Sequence, residues 1–320
     1  MKYSSGRSGG TVFALLASVL ALAGCSTGRG ADTPVPTVAA AAAAGVDPSA
    51  WTLPLLAFEP TAEQDRVISQ AELKLVAACV RGYGVAWQTE PDLPPHGPKN
   101  MLDRRYGIHD LRLAEQRGYQ LDAGEESRYN AALQAQSKLP PTPPDTEVLL
   151  GGTDIPPEVL AKAGPSARAG VVGGKQIPQG GCYGQARQVL GSATHGISQL
   201  VQDLNHQSYP ASMQDPKVLA VFAGWSVCMS KQGFSYKAPL EANDDPRFGP
   251  DPKGGVSRLQ IATATADITC RNSQHVAEVW HHAEVELQQK YIEQHRAALE
   301  ADRRTLDAVV KKAAEVLARP

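Results

Sequence analysis

The stretches "CVRGYGVAW" at residues 79–87 and "CMSKQGFSY" at residues 228–236 share one pattern, Cys-x4-Gly-x-x-aromatic. Each closes a run whose apolar residues recur at helical spacing. Each glycine falls where a helix ends in the left-handed conformation that a Cβ disfavours, and the residues after it fold back on the last turn. The pattern is a stapled helix end, used once in each half of the chain. It sets the expectation of an all-α fold held by disulfides.

Working outward from the first stretch, Thr61-Ala62-Glu63-Gln64 matches a capping box, and Val67, Ile68, Leu73, Leu75 and Val76 carry a helix on to Cys79. Working outward from the second, Asp215-Pro216 gives a clean start, Asp as N-cap and Pro at the first helical position. Shorter helices are expected over 127–137, 182–190 and 197–204. "WQTEPDLPPHGPKN" (87–100) and "EANDDPRFGPDPKGG" (241–255) read as loops, and the Pro/Gly-rich residues 138–181 as a long irregular excursion. Residues 256–318 contain neither Gly nor Pro. One helix of that length would be about 95 Å, so a break is expected near Asn272-Ser273, with a long C-terminal helix from Gln274. Strand-like alternation is nearly absent. The expected architecture is a helical bundle with long Pro/Gly-rich loops, in two related halves of about 61–210 and 211–320.

At the other end of the chain, "ALLASVLALAGCST" (14–27) stops abruptly at a cysteine. Lys2 and Arg7 precede an apolar run over 11–24, the layout of an export signal. Its fourteen residues would reach roughly 21 Å as a helix, too short for a hydrocarbon core of ~30 Å. Leu22-Ala23-Gly24-Cys25 looks like a bacterial lipobox. That likeness implies cleavage before Cys25 and acylation of its sulfur, and two or more acyl chains anchor stably. Residues 1–24 are then a lipoprotein signal peptide. Residues 25–60, small and Pro-rich, are expected to be a disordered tether, and residues 61–320 the folded domain.

Loss of residues 1–24 removes Lys2 and Arg7 and no acid, moving the formal charge from -2 to -4. So mild a charge argues against nucleic acid as a partner. Four cysteines remain after Cys25. An even number in an exported chain reads as two disulfides, and no Cys-x-x-Cys pair suggests a metal set. Three pairings are open. The repeat favours Cys79–Cys182 and Cys228–Cys270, which join each stapled helix to a neighbour. The competing set is Cys79–Cys228 with Cys182–Cys270.

"GWSVCMSKQGF" (224–234), "LQIATATADITC" (259–270) with the Trp-containing charged helix after it, and "GGCYGQARQVL" (180–190) together resemble a group of secreted actinobacterial lipoproteins of uncharacterised activity. The resemblance implies export, anchoring at the extracytoplasmic face of the cell membrane and a helical cysteine-stapled fold. It carries over no catalytic residue.

Standard nucleophile, metalloprotease and phosphate-loop motifs are absent from the sequence, and no cofactor is implied. "QHVAEVWHHAEVE" (274–286) holds the sharpest metal candidates. His275, Glu278, His282, Glu286 and Glu293 project within about 60° of one another on a helix, and Glu278-x-x-His281 echoes di-iron bundles. Val276, Trp280, Ala283, Leu287, Tyr291 and Ala298 line a different face, so the stripe is expected to point to water. Trp225, Met229, Phe234 and Tyr236 are expected to pack under a disulfide. Arg104-Arg105-Tyr106 reads as a solvated basic spot. The functional expectation is an acylated binding or structural component of the cell envelope, its partner an envelope protein or small ligand. The alternatives are an envelope hydrolase with an unrecognised site and a metal-binding lipoprotein.

Overall fold

Helix α1 (Ala62–Gly82) begins where the sequence says it should. Thr61 accepts from the Gln64 amide, and the Gln64 side chain accepts from the Thr61 amide in return. The computed structural model describes residues 45–249 and 255–319, so the lipobox and the rest of residues 1–44 lie outside the described residues. After α1 come α2 (Leu111–Arg117), α3 (Ala123–Gln136), α4 (Pro144–Gly151), and the single turns α5 (Pro157–Leu160) and α6 (Pro165–Arg168). A hairpin of two two-residue strands, β1 (Val171–Val172) and β2 (Lys175–Gln176), is the only sheet among the described residues. Then follow α7 (Gly181–Leu190), α8 (Gln199–Ser212), α9 (Pro216–Lys231), α10 (Pro239–Asn243), α11 (Arg258–Ser273) and α12 (Val276–Ala318). The fold is all-α.

Helix α12 organises the rest. Its 43 residues reach about 65 Å. Its first half buries Val276, Trp280 and Ala283 in a core with Val218, Trp225 and Met229 of α9. Its second half buries Leu306, Val309 and Ala313 against Ile68 and Ala71 of α1. His295 departs from helical geometry (φ -113°, ψ 17°) and separates the two halves. Beyond it Ala298 is exposed and Leu299 buried. A helix of residues 211–320 therefore spans and covers α1 of residues 61–210.

The bridges are Cys79–Cys182, joining α1 to α7, and Cys228–Cys270, joining α9 to α11. Gly84 and Gly233, the glycines of the repeat, have φ of +73° and +87°. The break before α12 is made by His275 in the left-handed region (φ 52°), one residue past the expected start at Gln274.

Three expectations are corrected. Residues 45–60 are not part of a disordered tether. Two 3-10 turns, Pro48–Ala50 and Pro54–Phe58, lay this strap on the body, with Leu53 1% and Leu55 0% exposed. The Leu55 amide donates to Gln288 Oε1 (3.0 Å), and His281 Nε2 donates to the Thr52 carbonyl (2.8 Å). Arg303 caps the Ala57 carbonyl. The reason is composition: Trp51, Leu53, Leu55 and Phe58 bring apolar area that prolines do not prevent from burying. Second, the excursion over 138–181 is partly regular, for Val148 and Leu149 of α4 are fully buried. Third, Arg104-Arg105-Tyr106 is not a solvated spot. Arg105 pairs with the fully buried Glu284, Tyr106 is 1% exposed, and Arg104 donates to the carbonyls of Tyr119 (2.8 Å) and Gln120 (3.2 Å).

Candidate functional site

The loop of residues 97–110, read from sequence only in part, is built to hold its shape. Asn100 Oδ1 accepts from the amides of Leu102 and Asp103, both at 3.0 Å, and its Nδ2 donates to the Ser49 carbonyl of the strap. Buried Leu102 and Tyr106 anchor it to the core. Gly107 (φ +109°) lets the backbone pass over Arg271, since a Cβ there would lie 2.3 Å from the guanidinium. Arg271 is itself fixed by Asp267, which also accepts from Trp225 Nε1 (2.8 Å) and the Tyr119 hydroxyl (3.0 Å). These buried groups satisfy one another and serve the scaffold.

On that scaffold three side chains from separate parts of the chain converge. Asp47 precedes the first strap turn and accepts from the Ser49 amide (2.9 Å). Asp103 sits in the loop and takes the Lys99 amide on Oδ2 (2.7 Å). His109 directly precedes Asp110, the N-cap that starts α2. His109 Nε2 lies 2.7 Å from Asp103 Oδ1 and 3.6 Å from Asp47 Oδ1. The chelatable atoms of the three fall within 4.8 Å of one another. Burial pushes the Asp103 carboxyl up, but the His109 hydrogen bond, the Lys99 amide and the nearby charges outweigh it, and the net shift is downward. Asp47 is held down at about 2, chiefly by hydrogen bonds from Ser49.

Asp103 and His109 form part of the wall of a cleft of about 290 Å³ beside α2. Its far side carries Arg117 paired with Asp122 (3.3 Å), and Ile108 and Ala114 supply an apolar patch. A second cavity of about 580 Å³ adjoins it, sharing Arg117 and Asp122. There Gln260, 3% exposed, has a carboxamide oxygen with no partner among the described residues. It rests against Gly118, where a Cβ would come within 2.8 Å. The groove around α2 thus offers cations, anions, an imidazole and an unsatisfied acceptor.

The sequence candidates fare differently. His275, Glu278 and His282 have side chains 72%, 38% and 67% exposed, on the watery face expected of them. His275 pairs with Glu278 at 3.3 Å and His282 with Glu286 at 3.4 Å. His281 instead packs against Trp51, ring centroids 4.7 Å apart and the planes tilted by 34°. Trp225, Met229, Phe234 and Tyr236 are all buried in one core that includes Cys270. Sequence reading missed Asp47, Asp103 and His109 because they come together only through long-range packing. The signal available was Asp47-Pro48, the same helix-start pair recognised at Asp215-Pro216.

No protein-family model, curated protein or solved structure matches this chain.

Proposed function

We propose that this protein is a lipid-anchored, extracytoplasmic component of the cell envelope, with the groove around α2 as its binding face. Cysteine use carries the reading. Of the five cysteines in the sequence, four are consumed in two disulfides within the body, which leaves Cys25, directly after Leu22-Ala23-Gly24, as the residue available for acylation. Disulfides of this kind belong to oxidising, exported compartments. Among the described residues no helix is long and apolar enough to cross a membrane, so attachment in this reading rests on the lipid. The groove supports a binding role over a purely structural one, because the buried carboxamide oxygen of Gln260 stands there with no partner among the described residues.

The test is metabolic labelling with an alkyne fatty acid in a bacterial host. The wild-type chain should take up label and fractionate with membranes. Cys25→Ser should remain unlabelled and accumulate as the uncleaved precursor. Equal labelling of the two would refute the anchoring.

A further inference from the structure

We propose that Asp47, Asp103 and His109 form a binding site for a divalent transition-metal ion of the zinc type. Ligands around tetrahedral zinc at ~2.0–2.1 Å lie about 3.4 Å from one another. The imidazole nitrogen here stands 2.7 Å from one carboxylate oxygen and 3.6 Å from the other, which brackets that spacing. The two carboxylates fall within 4.8 Å of each other, so small side-chain shifts would seat an ion among the three. One imidazole with two carboxylates suits zinc and its neighbours. Calcium would require six to eight oxygens, and magnesium a nearly all-oxygen octahedron.

Charge points the same way. Two carboxylates face one imidazole, and the nearest cation, Lys99, reaches only the outer oxygen of Asp47 (3.4 Å). A divalent ion would neutralise the pair of carboxylates. The second-layer contacts that fix ligand orientation are present, since the amides of Ser49 and Lys99 hold one oxygen on each carboxylate. Three protein ligands leave a fourth position. Asp103 and His109 form part of the cleft wall, so that position can be filled from the cleft by water or by a bound molecule. The site spans the strap and the loop, and an ion there would tie the strap to the body.

The inference does not depend on the lipid anchor, and its failure would leave that reading standing. Metal-stripped full-length protein in detergent should be titrated with zinc chloride by calorimetry and by competition with a chromogenic chelator. One ion per chain should bind in the micromolar range or tighter. Asp47→Asn and His109→Ala should each weaken binding at least about tenfold, and His282→Ala should leave it unchanged. Asp47 is half-exposed and asparagine is an equally good cap, so Asp47→Asn decides the matter should His109→Ala not fold. Absence of binding would overturn the site, as would binding indifferent to Asp47→Asn, or binding lost in His282→Ala.

Discussion

Arg105 and Glu284 stand 179 residues apart in the chain and form an ion pair whose side chains are 11% and 0% exposed. The Glu284 carboxylate is fully subscribed. Arg105 Nε reaches one oxygen at 2.9 Å, the Tyr106 hydroxyl the same oxygen at 2.8 Å, and the Ser208 hydroxyl the other at 2.6 Å. Gln288 extends the network by donating to Ser208 and Asn205 and accepting from Leu55. One acid thus joins the loop, α8 and α12, and through Gln288 the strap.

Removing one member should be costly. Glu284→Ala strands a guanidinium in the interior, and an expected loss of about 3–5 kcal/mol should appear in urea or thermal unfolding. A double change, Arg105→Met with Glu284→Met, should recover much of that loss, because no uncompensated charge remains. Additive losses in the cycle would show that the two side chains act independently.

Gly107 is under a double constraint. Its φ of +109° disfavours any side chain, and a Cβ would collide with Arg271. Gly107→Ala should therefore destabilise by at least about 2 kcal/mol. Gly174, also at positive φ but with open space around it, should pay only the backbone strain, and the difference in melting temperature between the two variants measures the collision.

The disulfides should contribute unequally. By the chain-entropy estimate the Cys79–Cys182 bridge, spanning 103 residues, is worth up to about 4.7 kcal/mol, and the 42-residue Cys228–Cys270 bridge up to about 4. Paired alanine substitutions compared by unfolding should rank them in that order. Cys182 and Cys270 are both fully buried, so the reverse ranking would show that loop length does not set the order.

Acid should loosen the strap through Asp47. Its folded-state value of about 2 lies below the ordinary 3.8, so the stability it supplies is complete above pH ~4 and is lost as pH falls towards ~2. Asp47→Asn should flatten that part of the stability curve. Glu59 has the opposite sign. Burial pushes its carboxyl up, and hydrogen bonding from Asn205 and the Arg105 charge offset this only in part. Its contribution to stability therefore grows as pH falls through its raised value, and Glu59→Gln should remove that gain.

Local chemistry made much of the fold legible. The Thr61 box, the Asp215-Pro216 start, the repeat glycines and the long run lacking Gly and Pro each act within a few residues, so the sequence alone reveals them. Glu284 and Gln288 were hidden because a charged or amide residue on a helix reads as solvent-facing, and the partners that satisfy them once buried, Arg105, Tyr106 and Ser208 for the one and Leu55, Asn205 and Ser208 for the other, are distant in sequence. The strap was hidden for a related reason. Its prolines and small residues resemble the tether before it, and its five large apolar side chains (Trp51, Leu53, Leu55, Leu56 and Phe58) are too few to show a period. The cluster of Asp47, Asp103 and His109 lies in non-periodic segments, where sequence gives residue types but no neighbours.

The order of contacts along the strap has a mechanical meaning. A pull applied ahead of Gly45 meets Asp47 at His109, then Ser49 at Asn100, then Thr52 at His281, then Leu55 at Gln288, and then Ala57 at Arg303. Both covalent bridges lie downstream of Thr61. Tension would be shed one contact at a time, paying out a lead of roughly 55 Å at ~3.4 Å per residue over residues 45–60 before the chain pulled directly on α1. The strap is thus a shock absorber in series with the rest of the molecule.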